Sequence, residues 1–112
     1  MNDAELKAIQ ADDRATVRTF IRAIRAAGFN LFAVNDGGDE LVKVATERDA
    51  MEAVFAVDDC TVIFTHNETG KRYGIYVVLG NGDGCAVNDH HADGGAFEAA
   101  CDAAYELTEA RL

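Results

Sequence analysis

The chain has 112 residues, 49% of them hydrophobic and 27% charged, and a formal net charge of −10. This suffices for one α+β domain that buries roughly two-thirds of its unfolded surface without a disulfide or metal staple. Phosphate contacts need clustered Lys and Arg, and this field repels a polyanion, so direct nucleic-acid binding is not expected.

Residues 5–27 have the spacing of an amphipathic helix, with Leu6, Ile9, Val17, Phe20, Ile21 and Ile24 on one side. Asp12 or Asp13 would cap a shorter version, and Gly28 supplies a left-handed stop. NLFAV (30–34) and LVKVA (41–45) read as strands, and NDGGDE (35–40) between them as a hairpin. A short helix follows. Thr46 and Asp49 form a variant capping box, Met51, Val54 and Phe55 give an apolar side, and Asp58-Asp59 ends it.

CTVIFTH (60–66), a NETGK turn and RYGIYVVL (72–79) come next. Tyr73, Ile75, Val77 and Leu79 share one strand face; Tyr76 and Val78 share the other. GNGDG (80–84) is a tight turn and CAVN (85–88) a short last strand. NDHHADGG leads into a final helix, with Asp93 as its cap. That helix buries Phe97, Ala100, Cys101, Ala104, Tyr105, Thr108 and Leu112. The order is α-β-β-α-β-β-β-α. Its short turns predict a mostly antiparallel sheet of about five strands, with helices on one face of a two-layer domain spanning 1–112.

Apolar stretches such as Ile75–Leu79 fall far short of the roughly 20 residues of a membrane span. The opening MNDAELKAIQADDR lacks the pattern of a signal peptide, so a cytoplasmic protein with no membrane partner is expected. Cys60, Cys85 and Cys101 are odd in number and widely spaced, as reduced thiols would be.

The stretch GNGDGCAVNDHHADGG gathers Asp83, Asp89, His90, His91 and Asp93. Asp89, His90, His91 and Asp93 are the candidate ligands if the protein binds a metal or hydrolyses a substrate. The spacing matches neither HExxH nor an EF-hand loop, and adjacent histidines point opposite ways on an extended chain. Turn and cap roles account for the same residues. Cys60 and His66 share a strand face, but no nucleophilic dyad follows from that. GNGDG leads into a strand and not a helix N-terminus, so it lacks phosphate-loop geometry. No catalytic residue and no cofactor is expected.

Charge placement is more informative. Arg14, Arg18, Arg22 and Arg25 sit at i, i+4, i+8 and i+11 on the first helix. Glu98, Asp102, Glu106 and Glu109 repeat that spacing with opposite sign on the last. Like charges at i, i+4 destabilise an isolated helix by about 0.2–0.5 kcal/mol per pair. The rows are solvated faces, or pair with one another, or face another molecule. The charge is also divided along the chain, net +1 over residues 1–28 and −11 over residues 29–112.

Residues 60–110 resemble small uncharacterised proteins of bacterial plasmids and phages, in which a strand like YGIYVVLGNGDG, a short strand, a turn like NDHHAD and a helix follow in order. In size and acidity the chain also resembles anti-CRISPR proteins, many of which occupy basic grooves on a host complex. The first likeness implies no activity; the second, with the charge, implies a small acidic, non-enzymatic interaction module, an inhibitor or nucleic-acid mimic for a basic protein partner. Partner-binding residues would be Glu98, Asp102, Glu106 and Glu109, then Asp83, Asp89 and Asp93. A homodimer in which the charged rows pair between copies is the structural alternative.

Overall fold

The computed structural model describes residues 2–80 and 85–110. Asp83, with the rest of the turn from 81 to 84, lies outside them, as does Leu112. Eight elements follow the expected order: α1 (Asp3–Ala26), β1 (Phe29–Asn35), β2 (Val42–Lys43), α2 (Glu47–Val54), β3 (Asp59–His66), β4 (Arg72–Val78), β5 (Val87–His90) and α3 (Ala96–Ala110). The strands form one antiparallel sheet in the order β2-β1-β3-β4-β5. No helix among the described residues is long and apolar enough to cross a membrane.

Strand periodicity determines which face is covered. Val34, Val62 and Ile75 are matched across β1, β3 and β4 and are fully buried or nearly so. Leu31, Phe64 and Tyr73 form the next row on that face. Phe97 of α3 lies among them, its ring centroid 5.3 Å from Phe29, 5.9 Å from Phe64 and 5.0 Å from Tyr73. Helix α1 touches both α2 and α3, and α2 lies against β1 and β3. The helices thus form one layer against one face of the sheet. A bulge between Leu31 and Ala33 lets β1 keep Val34 inward beyond it.

Several boundaries differ from expectation. Helix α1 starts at Asp3, where Asn2 accepts a hydrogen bond from the Glu5 N–H at 2.8 Å. It therefore does not begin at Asp12 or Asp13. Gly28 does stop it, at φ +102°. Strand β2 is only two residues long. The segment before it forms a longer loop in which Asn35 and Asp36 accept from the N–H groups of Gly37 and Gly38. Strand β5 runs from Val87 to His90, two residues later than CAVN, so Asp89 and His90 lie on the sheet and not in a loop.

Asp13 has a structural role instead of a capping one. Its side chain is buried at 4% exposure, and its Oδ2 accepts from the Gly80 N–H at 2.9 Å. Gly80 has φ +73°, a conformation other residues rarely adopt. This contact ties the middle of α1 to the end of β4, 67 residues apart in sequence. Gly80 is exposed, so removing Asp13 costs only the charge-assisted hydrogen bond itself, about 1.5–3 kcal/mol. Asp13→Ala is therefore expected to lower unfolding stability by that amount in urea titration. Asp13→Asn, which keeps an acceptor oxygen, should lose less.

Candidate functional site

The two charged rows occupy the same phase on their helices. Asp13, Thr16, Val17, Phe20 and Ile24 of α1 are buried, and so are Phe97, Ala100, Cys101, Ala104 and Thr108 of α3 at matching intervals. Each charged row is thus offset from its buried stripe in the same rotational sense. The helices run antiparallel: Phe20 meets Tyr105 at 4.7 Å, and Phe29, beyond the C-terminus of α1, meets Phe97 near the start of α3. Equal phase on antiparallel neighbours turns both rows toward the shared seam or both away from it, and the contacts decide which. The basic row is turned to α2, and no ion pair joins the two rows among the described residues, so they lie on opposite flanks.

The basic row faces α2. Arg22 forks Glu47, its Nε donating to Oε1 at 2.7 Å and its Nη2 to Oε2 at 3.0 Å. Arg18 Nε lies 3.8 Å from the same carboxylate. The hydrogen bond from Arg22 holds the Glu47 carboxyl below the usual range. Arg14 lies over the Phe55 ring at 4.4 Å. Arg14, Arg18, Arg48, Glu47 and Phe55 line an open groove of about 510 Å³ between α1 and α2.

On the acidic row, Asp102, Glu106 and Glu109 are exposed, and no ion pair reaches them among the described residues. Glu98 differs. Its Oε2 accepts from the Gly94 N–H at 2.6 Å, part of the turn that starts α3. Asp93 contributes to that turn by accepting from Gly95 N–H at 3.0 Å, just before the helix, and lies 3.8 Å from Lys71.

The Asp-His stretch separates into different environments. The His90 ring packs near Tyr105, 5.6 Å between centroids, and its Nε2 is buried without a hydrogen-bond partner among the described residues. The His91 ring lies 5.1 Å from Tyr73. Asp89 Oδ1 accepts from the His90 N–H at 2.8 Å. No three His, Cys, Asp or Glu side chains among the described residues are grouped to hold a metal ion.

Cys60 and His66 stand at opposite ends of β3, about 20 Å apart at strand rise. His66 Nδ1 accepts from the N–H groups of Glu68 and Thr69, which makes it part of the following turn. Burial pushes the Cys60 thiol up to about 11 and the Cys101 thiol to about 12, opposite to the shift an activated nucleophile needs.

The second face of the sheet carries no helix among the described residues. Its rows include Asn35, Thr61, Tyr76 and Asp89, matched across β1, β3, β4 and β5. Tyr76 is 37% exposed, and its hydroxyl donates to Asp59 Oδ2 at 2.6 Å. That bond raises the phenol above its ordinary range. Two shallow grooves flank the ring. One of about 250 Å³ is lined by Asp36, Asp59 and Thr61; one of about 300 Å³ is lined by Gly74, Asp89 and His91. The alternation in RYGIYVVL puts Tyr76 opposite Ile75 and Val77. Which face the helices cover, and that Asp36 and Asp59 gather beside Tyr76, depend on tertiary contacts.

No protein-family model, curated protein or solved structure matches the chain.

The thiols provide a check on this arrangement. Cys60 and Cys101 are buried and Cys85 is half-buried, all three unbridged. With a colorimetric thiol reagent at about pH 8, Cys60 and Cys101 should stay protected, because both titrate above that pH. At most one equivalent should react quickly in the native state, and all three in denaturant. Rapid reaction of two or more native thiols would contradict the packing.

Proposed function

We propose that the protein is a non-enzymatic interaction module that binds a basic protein partner through its acidic surface. The observation that supports this best is the outer flank of α3. Asp102, Glu106 and Glu109 are exposed there in a like-charged row, while the arginines of α1 face α2. A row of this kind repels itself on its own helix and is relieved by positive charge from outside. In the form suggested by size and acidity, the protein acts as an inhibitor or nucleic-acid mimic on a basic host protein. Three unbridged cysteines favour a reducing, cytoplasmic setting for that encounter.

Such a complex is steered by long-range attraction, so its on-rate falls as salt rises. The screening length is about 10 Å at 0.1 M salt and about 3 Å at 1 M. Affinity capture from source or host lysate should retain a basic partner at low salt and lose it at high salt. The triple reversal Asp102→Lys, Glu106→Lys and Glu109→Lys should weaken the recovered complex at least tenfold with an unchanged circular dichroism spectrum. Glu98 is left intact because it holds the Gly94 N–H. Unchanged affinity without salt dependence would overturn the proposal.

A further inference from the structure

The open face of the sheet carries a second surface, whose chemistry is narrower than general acidity. Its acidic end presents an exposed aromatic ring with carboxylates on either side. Asp89 is the direct cross-strand neighbour of Tyr76, so their Cβ atoms lie about 4.5–5.5 Å apart. Asp59 anchors the phenol through Oδ2, and its other oxygen has no hydrogen-bond partner among the described residues. Asp36 lines the same groove as Asp59.

Gly74 provides the floor beside the ring. It is on the same face as Tyr76, two residues earlier in β4. A Cβ built there would meet Thr61 Cγ2 at 2.9 Å, closer than real Cβ atoms come. A side chain at this position would also fill the groove that Gly74 lines together with Thr61, Tyr76 and Asp89.

We propose that this end of the sheet face docks an arginine-bearing segment of a protein partner, its guanidinium stacked on Tyr76 between Asp59 and Asp89. The inference rests on the reading that the partner is basic, and it adds a second contact surface with a defined specificity. Charge complementarity selects a cation, and the aromatic face selects among cations. A guanidinium is planar, weakly hydrated and forked, so it can stack on a ring and bond carboxylates at once; an ammonium is a compact, strongly hydrated point charge. The same sheet face already holds one guanidinium this way, with Arg72 over the Phe32 ring at 4.4 Å. Arg72 also bounds the patch, being four residues from Tyr76 along β4.

The test is a titration of the full ¹⁵N-labelled chain with a capped Arg-Gly repeat peptide and with its Lys-Gly counterpart, at about 0.1 M salt. Amide shifts are expected at Thr61, Gly74, Tyr76 and Asp89, with tighter binding of the arginine peptide. Tyr76→Leu and, separately, Asp89→Asn should each weaken binding several-fold, and the two variants guard against a local folding defect in either. Shifts confined to α3 would overturn the sheet site while leaving the acidic-module reading in place. Equal affinity for wild type and both variants, equal affinity for the two peptides, or no shift on the sheet face would each overturn it as well.

Discussion

The arrangement of this protein depends on the sheet being covered on one face only. Three helices lie against Phe29, Leu31, Val34, Val62, Phe64, Ile75 and Val77, and the alternate residues of the same strands, Ala33 excepted, are left half-buried or exposed. The core therefore contains only half of each strand. The other half lies outside the core cluster, and there Thr61, Gly74, Tyr76 and Asp89 stand beside Ile63 and Ala33. A sheet covered on both faces would have required apolar residues at those positions. The candidate contact surface exists because the fold does not need those positions for its core.

A second constraint acts in the helix layer. The buried stripes of α1 and α3 have the same phase and the helices are antiparallel, so their charged rows either both face the seam or both face away, and the contacts of the basic row with α2 select the second. The basic flank meets α2, where Glu47 takes a bidentate contact from Arg22 and Phe55 lies under Arg14. The acidic flank lies away from α1 and has no ion pair among the described residues. Ion pairs as exposed as Arg22–Glu47 add little to stability. Their consequence here is to direct positive charge to one side of the molecule and leave negative charge on the other.

Much of the fold could be read from periodicity and turn chemistry. Asn-Asp-Gly-Gly, Thr46 with Asp49, and Gly28 marked a loop, a helix start and a helix stop by mechanisms that need no tertiary partner. Periodicity alone places strand β5 two residues too early because Asn88, Asp89 and His90 carry little strand propensity of their own. They are held by register against Ile75 and Tyr76, and such pairing is invisible in a single segment. Asp13 has the local pattern of a cap for a related reason: its partner, the Gly80 N–H, is far away in sequence. The charged rows were legible as rows. Their mutual geometry was not, since it depends on the direction of α3 relative to α1. The surface around Tyr76 was only half visible, since alternation separates the two faces of a strand but does not say which one the helices cover.

Strand β5 joins the two acidic surfaces. Tyr105 of α3 donates to the Val87 carbonyl at 3.1 Å and packs near His90, which seats α3 over this edge of the sheet. Asp89, between those two residues, sits on the opposite face beside Tyr76. Negative charge therefore borders the β5 edge on both sides, from Asp102, Glu106 and Glu109 on the helix to Asp89 on the open face. An unpaired edge invites another strand, and charge beside it discourages that pairing. A stability role of this kind accounts for Asp89 alone. It does not account for Tyr76 standing exposed next to it, for Asp59 fixing the phenol, or for Gly74 leaving a groove at its side. Edge protection needs charge only, whereas those three features add an aromatic face, a fixed orientation and room for a side chain. Together they fit recognition of a cation better than they fit repulsion of a strand.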